Sequence, residues 1–503
     1  MPISNSRTRW LPAGRATKQF ESVMALCKRL IARLDIKGSR LIKGIRFEGL
    51  RVLGDPWEAA LRYSEAGADE LLYVDAVASL YGRNGLADLL RRTSLEVFIP
   101  ITAGGGVRSV ADAAALLAAG ADKIAVNTAA LQRPELITEL AEAFGTQCVV
   151  ASIQARRTGP GAWEAMSEAG RERSGQEVLA WMERVQQLGA GEILLTSVDQ
   201  DGTCAGPDHD LQAAAVASAK VPLVLGGGFA TTQQVLQILD EPSVGAVCIG
   251  SALHKRKIEL RELKSELFLA NLPIRMATTP PDILSESLSQ PLAGLRIGVV
   301  DYGMGNQQSL INAFARLGAT PQLSPDPNAL QECDLLALPG VGAFPQGMSN
   351  LQKRGIDRWL IEWASTGRPL LGICLGMQMM FEASDEYGHT PGLQLMQGKV
   401  LPLPSHNKMG QNIILPHMGW NRLLPGPAWR HDSYCESFNQ YFVHSYAAAE
   451  VDPEVVMFQC SYGDRIFVAA VRQNNVLGFQ FHPERSGNVG LSLLARCCQD
   501  IIN

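Results

Sequence analysis

Three short segments carry residues whose types and spacing could do covalent chemistry. In Pro369-Leu370-Leu371-Gly372-Ile373-Cys374-Leu375-Gly376 an apolar run ends in a thiol held between two glycines. Such glycines permit a sharp strand-to-helix turn that pushes Cys374 into open space. The spacing predicts a helix over Leu375 to Glu382, whose N-terminus favours a thiolate. Alone, the segment reads first as a buried structural cysteine. Its partners lie in Gly478-Phe479-Gln480-Phe481-His482-Pro483-Glu484. Read as a strand, this run turns His482 and Glu484 to one face. A histidine base oriented by a carboxylate is what an activated cysteine needs. Upstream, Pro339-Gly340-Val341-Gly342-Ala343-Phe344 follows an apolar strand, and Gly340, Val341 and Gly342 can offer backbone N–H groups to an oxyanion.

The elements that position these groups fill only the C-terminal part of the chain. Its 503 residues suffice for two or three domains with full cores. Residues 1–23 are basic and acid-poor, with Arg7, Arg9, Arg15 and Lys18 preceding Glu21, and no apolar core of a secretory signal. A short transit peptide, a disordered tail or a true start at Met24 all fit. Residues 24–276 alternate short apolar strands with helical stretches, as in Glu70–Asp75, Val97–Thr102, Lys123–Asn127 and Glu192–Ser197. Such alternation predicts a (β/α)8 TIM barrel. Residues 277–292 read as a linker, and residues 293–503 as an α/β domain with a central parallel sheet.

The barrel repeats itself. Thr102-Ala103-Gly104-Gly105-Gly106 recurs as Val224-Leu225-Gly226-Gly227-Gly228, each followed by a helix and another strand. Gly105 and Gly106, with Asn127 and Thr128, make one candidate phosphate cradle; Gly227 and Gly228, with Gly250 and Ser251, make its copy. Two matched cradles suggest a long substrate with a phosphate at each end, although glycines that only allow tight packing would give the same pattern. The net charge of −5 and the absence of basic runs speak against a nucleic-acid partner. No apolar stretch is long enough for a membrane span. Ten cysteines without a C-x-x-C pair suggest a reducing compartment, such as the cytoplasm, and no structural zinc. No cofactor and no metal are expected.

The cysteine, histidine–glutamate and glycine-turn segments together resemble the class I glutamine amidotransferases. More narrowly, Pro416-His417-Met418-Gly419-Trp420-Asn421 and Tyr441-Phe442-Val443-His444-Ser445-Tyr446 resemble the glutaminase subunit of imidazole glycerol phosphate synthase. The resemblance implies glutamine hydrolysis through a thioester on Cys374, with ammonia as the useful product. It also implies glutamine contacts from Gln378, His444, Ser445 and Tyr446. The barrel resembles the cyclase subunit of the same enzyme family, through Lys28-Arg29-Leu30-Ile31, Leu34-Asp35, Lys43-Gly44, Gly54-Asp55-Pro56, Gly191–Ser197 and Asp199–Thr203. This implies a bisphosphorylated ribulosyl-formimino ribonucleotide substrate in histidine biosynthesis. Ammonia adds to its ketone, and imidazole glycerol phosphate and an aminoimidazole carboxamide ribonucleotide leave.

The resemblance further implies that Asp35 is one of two acid–base carboxylates, that Lys43, Asp75, Thr196 and Asp201 contact substrate, and that Arg29, Glu70, Lys123 and Glu192 form an ammonia gate where the two domains dock. The chain departs from the family at three places. Gln154 replaces the second carboxylate, Arg33 stands for a cysteine and Gly226 for a serine. A glutamine amide cannot exchange a proton near neutral pH. The departures leave open an amidotransferase serving another phosphorylated or sugar acceptor with a cyclase-deficient barrel, or a barrel that only binds ligand.

Overall fold

The computed structural model describes residues 26–78, 86–276, 290–304, 306–430 and 439–502. The expected tail, the alternative start at Met24 and linker positions 277–289 lie outside the described residues.

Eight parallel strands close a barrel: β1 (Arg29–Lys37), β2 (Glu70–Asp75), β3 (Ile101–Gly104), β4 (Lys123–Val126), β5 (Val149–Gly159), β6 (Glu192–Ser197), β7 (Leu223–Gly226) and β8 (Val244–Ile249). The order is β6-β7-β8-β1-β2-β3-β4-β5, and β5 pairs back onto β6. Alternate residues point in and out. Ile31, Leu72, Ala125, Val150, Leu194, Val224, Ala246 and Cys248 form an apolar layer inside the barrel. Leu30, Leu71, Ile193 and Leu223 face the surrounding helices. Two hairpins rise from the C-terminal mouth, Arg40–Ile45 with Glu48–Gly54 after β1, and Ala162–Ser167 with Glu172–Glu177 after β5.

The internal repeat is visible in the backbone. Gly105 and Gly106 after β3 have φ of +98° and +75°, and Gly227 and Gly228 after β7 have +101° and +89°. A Cβ on Gly105 would sit 2.3 Å from the Asp75 carbonyl oxygen, and one on Gly228 would sit 2.0 Å from that of Gly206. A hydroxyl then caps the helix after each turn, Ser109 before Val110–Ala118 and Thr231 before Thr232–Leu239.

The second domain is built on β9 (Arg296–Val300), β10 (Thr320–Ser324), β11 (Leu335–Leu338), β12 (Leu370–Ile373), β13 (His417–Arg422), β14 (Asn439–His444), β15 (Val456–Tyr462), β16 (Arg465–Gln473) and β17 (Val476–Phe479). Its main sheet runs β10-β9-β11-β12-β17-β16-β15. The parallel half ends at β17 and an antiparallel extension follows. The domain starts before the expected linker ends. Leu292 is buried, and its N–H donates to the Leu317 carbonyl.

Strands β13 and β14 pair as a separate ribbon laid on the N-terminal face of the barrel. Met418, Trp420, Tyr441 and Val443 share the barrel's own apolar core. The Trp420 indole N–H donates to the Asp69 carbonyl at 3.1 Å, and the Arg275 guanidinium lies 4.0 Å from the centre of its ring. Beside the ribbon, Arg485 pairs with Asp122 at 2.8 Å and donates to the Gly120 carbonyl at 2.6 Å.

Two histidines bury themselves in this ribbon. His444 Nδ1 lies 2.8 Å from the Tyr446 carbonyl, so it must carry the proton and donate. Its Nε2 then accepts from His417 Nδ1 at 3.0 Å, and His417 Nε2 accepts from the Asn421 amide at 3.3 Å. Burial holds both rings neutral, pushing His444 down to about 4 and His417 well below its ordinary value. The unfolded chain takes up these protons near pH 6.5, whereas folded His444 takes its own only near 4. Stability therefore falls as the pH drops through that window, by up to about 1.4 kcal/mol per pH unit for each histidine. Thermal unfolding between pH 7 and pH 5 is expected to show this loss, with a flatter dependence in His444→Asn. Equal slopes in the two proteins would contradict it.

Candidate active site

The cysteine sits on a strained elbow. Cys374 has φ +54° and ψ −109°, a conformation costly for a residue with a Cβ. The flanking glycines are sterically required. A Cβ on Gly376 would lie 1.8 Å from the Leu338 carbonyl oxygen, and one on Gly372 would lie 2.7 Å from the Gly376 backbone. The helix behind the elbow is shorter than expected, Leu375–Gln378 rather than reaching Glu382. The Met379 and Met380 carbonyls accept from Leu393 and Leu395, so the helical ladder cannot continue. A single turn has little macrodipole, and His482 is the stronger electrostatic partner of the sulfur.

His482 and Glu484 meet, but not on a strand. β17 ends at Phe479, and the pair flanks a tight turn, Pro483–Arg485. Proline fixes φ there and brings the carboxylate back to the ring, with His482 Nδ1 donating to Glu484 Oε1 at 2.7 Å. His482 Nε2 has no hydrogen-bond partner among the described residues. Burial disfavours an imidazolium here, yet Glu484 and the Cys374 sulfur together lift His482 well above its ordinary value. Base, orienting carboxylate and thiol thus form a coupled set.

Gly340 packs directly on the elbow, where a Cβ would meet Tyr302 Oη at 2.4 Å and Leu375 Cβ at 2.9 Å. Val341 lines a small cavity with His482 and Glu484, and Gly342 has φ +120°. Tyr302, buried, donates to the Pro339 carbonyl at 2.7 Å and braces this turn. Sequence reasoning missed Tyr302, and it also missed Gln480. The Gln480 amide reaches Cys374 Sγ at 3.7 Å, while its oxygen accepts from Gln378 at 3.1 Å. Gln480 alternates with His482 along Gly478–Glu484, and that signal was available. Gln378 also donates to the Tyr446 carbonyl. The His444 ring spends both nitrogens on Tyr446 and His417, which leaves its main chain for the expected glutamine contact. Ser445 gives its carbonyl to the Leu403 N–H, and Tyr446 opens the strand Tyr446–Ala449.

At the barrel's N-terminal face, Arg29, Glu70, Lys123 and Glu192 close a buried ring. Arg29 bonds Glu70 at 2.7 Å and Glu192 at 2.6 Å; Lys123 bonds Glu70 at 2.8 Å and Glu192 at 2.7 Å. Met418 from the second domain places its sulfur 3.6 Å from Lys123 Nζ.

At the opposite mouth the two cradles are unequal. Gly105, Gly106, Asn127 and Thr128 open on a cavity of about 220 Å³, shared with Asp75, Ser152, Gln154 and Glu168. Gly227, Gly228, Gly250 and Ser251 open on only about 20 Å³, beside Arg33 and Asp201. Arg33 explains part of the difference. Its Nε bonds Asp35 at 2.8 Å, and its Nη1 reaches Thr196 Oγ1 at 3.4 Å. Lys43 bonds Asp35 at 2.6 Å and Asp201 at 3.0 Å. Burial would raise the Asp35 pKa, but Arg33 and Lys43 overcome it and hold the carboxyl well below the usual range. Asp35 is therefore an anchored anion, a poor proton donor near neutral pH. At Gly226 a Cβ would come 3.2 Å from Thr196 Oγ1. Among the described residues no group of three or more His, Cys, Asp or Glu could hold a metal, and no helix is long and apolar enough to cross a membrane.

Comparison with known proteins matches residues 29–259 to the family described as Histidine biosynthesis protein, and residues 298–500 to Glutamine amidotransferase class-I. The barrel is similar to the imidazole glycerol phosphate synthase subunit HisF of Legionella pneumophila, with 53% identity over 206 residues, 41% of this chain and 97% of that protein. It is also similar to the same subunit from Solibacter usitatus, with 43% identity over 251 residues, 50% of this chain and 99% of the relative. The Synechococcus subunit (strain CC9605) gives 45% over 251 residues, 49% of this chain and 98% of the relative. With a HisF-like barrel and a class I glutamine amidotransferase domain in one polypeptide, the chain belongs to the imidazole glycerol phosphate synthase family.

Proposed function

We propose that this chain is a bifunctional imidazole glycerol phosphate synthase of histidine biosynthesis. It takes the amide nitrogen of glutamine and delivers it, as ammonia, to a bisphosphorylated ribonucleotide in the barrel. The observation that carries this reading is the placement of two unlike sites at opposite ends of one barrel. The thiol–imidazole–carboxylate set lies in the domain docked on the gate end, and the glycine cradles lie at the other mouth.

Cys374 attacks the glutamine carboxamide, and His482, held by Glu484, takes the thiol proton and gives it to the leaving ammonia. The N–H groups of Gly340, Val341 and Gly342 hold the developing oxyanion. Gln378, Ser445 and Tyr446 line the way to the thiol. Ammonia passes the ring of Arg29, Glu70, Lys123 and Glu192, then the apolar interior layer, and emerges at the mouth. There it adds to the ketone of a substrate whose phosphates rest on the two cradles. Lys43, Asp75, Thr196 and Asp201 orient that substrate, and Asp35 stabilises positive charge that develops near it. The nine described cysteines are all free, which supports work in the reducing cytoplasm.

A second reading is favoured by the near-closed cradle at Gly227 and Gly228. In it the barrel aminates a shorter acceptor with one phosphate. Turnover of the bisphosphate itself decides between them.

Cys374→Ser is expected to remove glutamine-dependent synthesis while leaving synthesis from ammonium salts within about twofold, because the thiol acts only in releasing ammonia. Parallel steady-state assays with the two nitrogen sources check this. Equal loss of both activities in a folded variant would contradict the two-site arrangement.

A further inference from the structure

The cavity at the open cradle holds polar groups that the reading above leaves without work. Gln154 is 7% exposed, and its Oε1 has no hydrogen-bond partner among the described residues. In the same cavity Glu168 has a buried Oε2 that is likewise unpartnered. Glu168 lies in the hairpin that continues β5, the strand carrying Gln154. Gln154 pairs across that hairpin with Met166, two residues before Glu168. The Glu168 backbone takes φ +47°, rare for a residue with a side chain, and its N–H donates to Thr128 Oγ1 of the open cradle at 3.0 Å. An unfavourable backbone is thus tied to the phosphate cradle, and it keeps the Glu168 side chain in the lining of the cavity.

The other mouth carboxylates are engaged. Asp35 and Asp201 are bound to Arg33 and Lys43, and Asp75 Oδ1 accepts the Val77 N–H at 3.1 Å. We propose that Glu168 is the acid–base carboxylate of the barrel reaction, supplying from the hairpin the proton exchange that Gln154 cannot perform. This assignment rests on the cyclase reading. When the ammonia lone pair forms the C–N bond, the carbonyl pair moves to oxygen. The Glu168 carboxylate takes one proton from the nitrogen and passes it to that oxygen, giving the carbinolamine. Glu168, a carboxylate again after that transfer, takes up a proton from solvent water and gives it to the hydroxyl, which leaves as water while the nitrogen lone pair forms the C=N bond. The resulting iminium gives a proton to Glu168, which returns it to solvent. No oxidant or reductant enters. Gln154 remains as a neutral hydrogen-bonding contact.

The test is ammonium-dependent turnover of the bisphosphate by the full chain, its Glu168→Gln variant and the double variant Glu168→Gln/Gln154→Asp. Glutaminase activity serves as the control for folding. Glu168→Gln is expected to lower kcat by about 10²–10⁴-fold with little change in KM for the bisphosphate. Restoring a carboxylate at position 154 in that background is expected to recover at least about tenfold of the loss. A Glu168→Gln variant within about threefold of the natural kcat, or one changed only in KM, would overturn the assignment. So would a double variant that binds the bisphosphate normally and recovers nothing. A natural chain without ammonium-dependent turnover would instead overturn the cyclase reading on which the assignment stands.

Discussion

The buried ring of Arg29, Glu70, Lys123 and Glu192 is the interaction on which the two halves of the molecule depend. Four charges removed from water carry a desolvation cost of several kcal/mol each. It is offset here because every charge touches two of opposite sign, at 2.6–2.8 Å. Removing one member would strand two partners, a loss of about 3–5 kcal/mol for a buried pair. Each residue opens a strand, so the closed register of β1, β2, β4 and β6 sets the ring's geometry. The second domain then caps it, with Met418 on Lys123 and Trp420 on Asp69 and Arg275. Above the ring the barrel interior is filled by an apolar layer, in which a cation would be costly.

The same economy of charge governs the mouth. Arg33 stands two residues before Asp35 on one strand, so both side chains enter the barrel together. The resulting ion pair, extended by Lys43 and Asp201, fixes Asp35 as an anion and leaves the second cradle little room. The internal repeat is therefore symmetrical in backbone and asymmetrical in the room it leaves. The larger opening lies over Gly105 and Gly106, and the hairpin after β5 reaches over that side.

Much of this was legible in the sequence because it is local. The glycines around Cys374, the paired glycine turns and the strand-opening charges each occupy a few consecutive positions with a definite period. The barrel itself followed from strand–helix alternation. What escaped depends on contacts between distant segments. The helix after Cys374 stops at Gln378 because a loop beginning at Leu393 takes its carbonyls. The His444 ring bonds His417, 27 positions earlier, because strand pairing in the ribbon brings the rings together. His482 and Glu484 keep their partnership although the expected strand gives way to a proline turn, since two residues of separation suit either geometry. Glu168 carries no motif, and only the folded hairpin sets it beside Gln154.

The central claim is that nitrogen travels through the interior of the barrel rather than through solvent. It is tested most directly by giving the chain glutamine labelled with nitrogen-15 in its amide, together with the bisphosphate and an excess of unlabelled ammonium at a pH where little free ammonia exists. The label in the imidazole product is then measured by mass spectrometry. The account predicts that the product carries the glutamine label in near-full proportion, and that Lys123→Ala, which opens the ring, dilutes it. Product labelled only as the mixed solvent pool would be, in the natural chain, would contradict it.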